Sequence, residues 1–160
     1  MKTREIDELL DEHPFFRGMD PDWLALIAGC GHNVAFAPGE LLAKEGTGAD
    51  EFFAVRHGKV AVELFAPGAG TLTIQTVGEG EILGWSWILP PYRWLFDVRA
   101  VETTRAVHFD GTCLRTKCEE LPAMGYEVMK RFAAVVSDTL LATRLQLLDV
   151  YGEKSRGPAG

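Results

Sequence analysis

Three of the four tryptophans lie within ten residues, Trp85, Trp87 and Trp94, with Tyr92 and Arg93 beside the last of them. Indole rings stack on planar or apolar molecules, and a guanidinium pairs with an anion. The segment therefore has the residue types of a small-molecule pocket. Other chemistry finds less support. His13, His32, His57 and His108 are scattered, with no HxH pair to hold a metal on adjacent strands. GxSxG, P-loop and HExxH motifs are absent. No catalytic constellation emerges, and the chain is read as a non-enzyme without a metal site. Cys30, Cys113 and Cys118 are odd in number and lack CxxC spacing, which reads as reduced thiols in a cytoplasm.

The elements that must position these residues divide the chain in three. Residues 1–32 read as short helices. Glu5 to Leu10 stops before His13-Pro14, and Asp20-Pro21-Asp22 starts a second helix with Asp20 as N-cap. Residues 33–110 read as short β-branched and aromatic strands between turn signals such as Pro38-Gly39, Gly58-Lys59 and Gly78-Glu79-Gly80. Regular turns of this kind predict a jelly-roll sandwich or barrel. Residues 111–150 form a C-terminal helical segment with one long helix, in which nothing from Ala123 to Tyr151 but Gly125 interrupts the pattern. Residues 151–160 are polar, end Gly-Pro-Ala-Gly, and read as a disordered tail.

The long helix carries more apolar residues than one docked face requires. Val128, Phe132, Val135, Leu141, Leu145 and Leu148 are therefore assigned to a two-fold homodimer interface. The alternative is a helix sunk deeper into its own domain.

With 23 acidic and 16 basic side chains the net charge is −7, which disfavours a general binder of phosphate backbones. No run is apolar enough to span a membrane, and the N-terminus has no signal-peptide stretch.

The β segment resembles the cyclic-nucleotide-binding domain of catabolite-activator-like (Crp/Fnr) regulators, kinase regulatory subunits and gated channels. PGELLAKEG at Pro38 to Gly46 looks like the family's first strand and turn. DEFFAVRHGKVAV at Asp50 to Val62 looks like its hairpin, and VGEGEILG at Val77 to Gly84 like the approach to its ligand site. The resemblance runs from about residue 13 to 150. It implies a double-stranded β-helix jelly roll, mainly β, with flanking helices and a long C-terminal dimerisation helix. In the family, a short helix after the glycine offers N–H groups to the cyclic phosphate, a glutamate bonds the ribose and an arginine pairs with the phosphate.

Here the cassette departs from that pattern. Gly84 is present, but Trp85 replaces the ribose glutamate and Trp94 stands at the arginine position. Arg93 is one residue early. On a strand that slip turns it to the other face, whereas in a loop after Pro90-Pro91 it can still reach inward. The assigned ligand-binding residues are Gly84, Trp85, Ser86, Trp87, Arg93 and Trp94, with Thr139 and Thr143 completing the site from the long helix. Three readings stand together: a rebuilt pocket for a small planar or anionic ligand, a pocket filled by its own tryptophans, and ordinary cyclic AMP or cyclic GMP binding.

The functional expectation is a small-molecule sensing module that signals to a separate, unidentified protein partner. The alternatives are a ligand-independent dimeric interaction module and a truncated transcriptional regulator. The ten residues after the helix cannot supply a helix-turn-helix, so direct nucleic-acid binding is not expected.

Overall fold

The computed structural model describes residues 5–155. Helix α1 (Ile6–Glu12) ends where His13 turns extended ahead of Pro14. Helix α2 (Pro21–Ala28) begins as its sequence dictates, with the Asp20 carboxylate accepting from the Asp22 N–H at 2.8 Å. Eight strands follow: β1 (Gly31–Phe36), β2 (Leu41–Ala43), β3 (Glu51–His57), β4 (Lys59–Ala66), β5 (Gly70–Gly78), β6 (Ile82–Leu83), β7 (Asp97–Ala100) and β8 (Thr104–Asp110). They form two antiparallel sheets, ordered β1-β8-β3-β6 and β2-β7-β4-β5. Helices α3 (Gly111–Glu120) and α4 (Pro122–Ser155) complete the chain. The fold is the expected jelly roll with flanking helices.

Two apolar cores hold it together. Phe53, Val55, Val60, Val62, Leu83, Trp94 and Val98 pack inside the barrel. Phe52, Phe109, Trp87, Leu114, Met124, Val128 and Phe132 pack between the first sheet and the helices. Neighbours Phe52 and Phe53 on β3 thus serve opposite cores. That is why Phe52 to Val55 is buried without alternation.

Four expectations are corrected. Val128 and Phe132, assigned to a dimer interface, are each 1% exposed and belong to the domain's own core. The Phe132 ring meets Phe15, Phe52 and Trp87 at 4.9, 5.0 and 5.2 Å. The first half of α4 is thus spent docking the helix, and Val135 lies half-buried at the edge of that contact. The helical segment is also two helices, because Leu121 leaves helical geometry before Pro122. Third, α4 runs on through Ser155, so Tyr151 to Ser155 are helical rather than tail; the remainder of the assigned tail, 156–160, lies outside the described residues.

The fourth correction concerns the thiols. Cys30 and Cys113 form a disulfide, and Cys118 alone is free. Cys30 directly precedes β1 and Cys113 lies in the first turn of α3, just after β8. Antiparallel pairing of Gly31 with Phe109 brings those ends together, and the Asp110 N–H donates to the Cys30 carbonyl at 2.9 Å. The Cα atoms stand 5.7 Å apart, within bridging range. Spacing in sequence could not reveal this, since 83 residues separate the pair. The bond also removes the thiol argument for a reducing compartment.

Candidate functional site

A cavity of about 480 Å³ lies between the β4–β5 side of the barrel, the segment after β6, and α4 as its roof. Gly84, Trp85, Ser86, Trp94, Thr139 and Thr143 all line it. Residues 45 or more apart in sequence are brought together because α4 crosses back over β5, where the Gln146 amide donates to the Ile74 carbonyl at 3.3 Å. Thr139 and Thr143 share a roof face by their i, i+4 spacing. Gln146 continues that face one turn further on.

Trp87 and Arg93 do not line the cavity. Trp87 is fully buried on the far side of the segment, stacked on Phe52 at 5.2 Å. Its indole N–H has no partner among the described residues. Arg93 donates from Nη1 to the Gly46 carbonyl at 2.8 Å. The cause is local pairing. The Ala49 N–H donates to the Tyr92 carbonyl, the Trp94 N–H to the Thr47 carbonyl and the Gly46 N–H to the Trp94 carbonyl. Gly48 bridges Arg93 antiparallel. Along this short extended stretch, successive side chains point to opposite sides, so Trp94 faces in and Arg93 out.

Trp94 is 6% exposed, and its ring presses on Gly84. A Cβ built on Gly84 would lie 2.7 Å from Trp94 Cη2, and Gly84 has φ +98°. Only glycine suits that backbone and that approach. The indole N–H donates to Glu51 Oε1 at 3.3 Å, while His108 Nε2 donates to Glu51 Oε2 at 2.7 Å. Glu51 therefore anchors Trp94 from the first sheet.

The segment after Gly84 forms turns and bends rather than the short helix that the resemblance implies. The Ile88 N–H closes a turn on the Trp85 carbonyl at 3.1 Å. Arg115 of α3 holds this segment from outside. It donates to the Trp87 carbonyl and to Asp50 Oδ1, and its guanidinium lies 4.1 Å from the centre of the Tyr92 ring. Arg99 is likewise engaged elsewhere, with Glu63 at 3.0 Å and the Gly39 carbonyl at 2.8 Å.

Among the described residues the cavity wall thus carries no ionisable side chain; its polar side chains include Gln75, Ser86, Thr139, Thr143 and Gln146. The rest is aliphatic and aromatic, including Ile74, Leu83, Phe96, Val136 and Leu140. Sequence reasoning missed Gln75, Glu51 and Arg115, whose roles arise only from strand pairing and helix docking. Gln146 was accessible, since it extends the Thr139–Thr143 face. Among the described residues no cluster of His, Cys, Asp and Glu could hold a metal ion.

The fold and this site define a β-barrel ligand-binding module roofed by a helix. The sequence profile of the cyclic nucleotide-binding domain matches residues 33–120. That is more than half of the chain, which belongs to this family. A CRP-like cAMP-activated global transcriptional regulator of Mycobacterium tuberculosis is 24% identical over 145 residues, covering 91% of this chain and 63% of the regulator. The chain thus spans less than two-thirds of that relative. A Geobacter metallireducens protein assigned as cyclic nucleotide-binding superposes with a TM-score of 0.74 at 28% identity, over 86% of this chain and 99% of that one. A cyclic nucleotide-binding domain from Methylobacillus flagellatus gives 0.77 at 20% identity, over 91% and 82%.

Proposed function

We propose that this domain senses a small molecule in the cavity beneath α4 and passes the signal through that helix to a second copy and a separate partner protein. One observation carries the reading: a single helix supplies both the cavity roof and an exposed apolar stripe. Thr139, Thr143 and Gln146 face the cavity. Leu141, Leu145 and Leu148, spaced 4 and 3 apart, are 58%, 53% and 65% exposed. That spacing is the one by which helices pair in coiled coils, and leucines this exposed in a row favour burial against a partner. A ligand that prefers one position of α4 would therefore shift how two helices meet. The reading of a pocket filled by its own tryptophans is disfavoured by the open volume that Trp85 and Trp94 leave between them and the helix.

Sedimentation velocity over a range of protein concentrations tests the pairing. The expected result is a dimer that Leu145→Asp converts to a monomer with unchanged circular dichroism. A wild-type chain that stays monomeric at all concentrations would remove the helix-pairing route.

A further inference from the structure

The chemistry of the cavity wall narrows the ligand class, an inference that rests on the sensing reading above. We infer that the cavity takes an uncharged, largely apolar ring compound carrying a hydrogen-bond donor, and not a phosphate-bearing nucleotide.

Charge comes first. Among the described residues no carboxylate, ammonium, guanidinium or imidazole lines the cavity. Arg93, Arg99 and Arg115 are bound to carbonyls and carboxylates elsewhere. An anion taken from water into an apolar site without a partner carries a heavy desolvation cost. The backbone offers no helix N-terminus in place of a cation. The segment after Gly84 forms turns and bends, its Ile88 N–H already donates to the Trp85 carbonyl, and the Trp94 ring lies 2.7 Å from where a Cβ on Gly84 would stand.

The polar groups then set the pattern of hydrogen bonds. A hydroxyl has one proton to give and two lone pairs. Thr139 gives its proton to the Val135 carbonyl at 3.0 Å, and Thr143 gives its own to the Thr139 carbonyl at 2.9 Å. Both hydroxyls therefore turn only acceptor lone pairs to the cavity. They can receive an N–H or O–H from a ligand but cannot donate to a phosphate oxygen. Ser86 and Gln75 make no side-chain hydrogen bond among the described residues and can serve an acceptor of an uncharged ligand. The volume of about 480 Å³ suits a drug-sized molecule.

A pair of probes with the same rings isolates the charge. N-phenyl-1-naphthylamine is uncharged and carries one N–H, and 8-anilinonaphthalene-1-sulfonate adds an anion. Each is titrated into the full chain, read by energy transfer from tryptophan, with cyclic AMP as competitor. The uncharged amine is expected to saturate one site per chain at least tenfold tighter than the sulfonate, without competition from cyclic AMP. Ala142→Trp, which fills the cavity from an exposed roof position, should abolish that binding with the fold intact by circular dichroism. Thr143→Val should weaken it about 2- to 10-fold, the range for one neutral hydrogen bond. If the sulfonate or cyclic AMP binds as tightly as the amine, and Ala142→Trp blocks it, the uncharged class is wrong while the sensing reading stands. If none of the three probes saturates, or Ala142→Trp leaves their binding unchanged, both are overturned.

Discussion

At the residue scale, the site turns on the contact between Gly84 and Trp94. The tryptophan stands where the resemblance implies an arginine, and its ring occupies the space beside the glycine backbone. Gly84→Ala would meet two penalties at once, a Cβ at 2.7 Å from a buried indole and a φ of +98°. Left-handed backbone costs an L-residue about 1–2 kcal/mol, and an overpacked core about 1–3 kcal/mol. The variant is expected to lose roughly 2–4 kcal/mol in urea unfolding, by summing the lower parts of those ranges. A loss below half a kcal/mol would mean that Trp94 moves aside freely, and that the cavity floor is soft. Arg93 teaches the complementary lesson. Its type is right for an anion, but one step of strand alternation aims it at the Gly46 carbonyl instead.

At the scale of elements, α3 and the disulfide bind the helical layer to the first sheet. Cys30–Cys113 closes a chain segment of 83 residues that includes nearly the whole barrel. Lys117 adds a bond to the Leu26 carbonyl at 2.6 Å, so α3 is tied to α2 as well as to the residue that precedes β1. A loop of that length restricts the unfolded chain strongly, and losing such a bond typically costs about 2–5 kcal/mol. Urea midpoints with and without dithiothreitol, alongside a Cys30→Ser/Cys113→Ser double variant, measure this. Reductant should lower the wild-type midpoint to that of the double variant and leave the latter unmoved. Equal midpoints throughout would show that the sheet pairing alone sets the stability. The remaining thiol, Cys118, is pushed up from its ordinary range by burial and then by the neighbouring Glu119 charge, which leaves it a poor nucleophile at neutral pH.

At the scale of the whole molecule, stability has a built-in pH dependence. His13 is 5% exposed and ties the N-terminal layer to the barrel. Its Nε2–H donates to the Val55 carbonyl at 3.1 Å, and its Nδ1 accepts from the Phe15 N–H at 3.2 Å. The second bond requires the neutral ring. Burial is the main cause that lowers its pKa from the ordinary 6.5, against the raising effect of the Val55 and Glu81 carbonyls. The unfolded chain therefore takes up this proton at higher pH than the folded one. The contribution is complete above about 6.5 and is lost as pH falls from there toward the lowered folded value. Unfolding free energy should thus drop between pH 7.5 and 5, and His13→Gln should flatten that drop. A variant with the wild-type slope would place the pH dependence elsewhere.

The sequence by itself determined the punctuation of the elements: Asp20-Pro21 starting α2, the glycine turns between strands, and the unbroken run that became α4. These follow from local sterics and hydrogen bonding, which act over a few residues. It also marked Gly84, Trp85, Ser86, Trp94, Thr139 and Thr143, all of which the fold brings to one cavity. Only the tertiary structure decided that Trp87 serves the core, that Arg93 faces outward, and that Val128 and Phe132 dock α4 while Leu141, Leu145 and Leu148 stay exposed. The same holds for Cys30 and Cys113, joined by the β1–β8 register. Each of these depends on which face of an element meets which neighbour, across tens of residues. Periodicity gives the faces, but only packing and register say what lies against them.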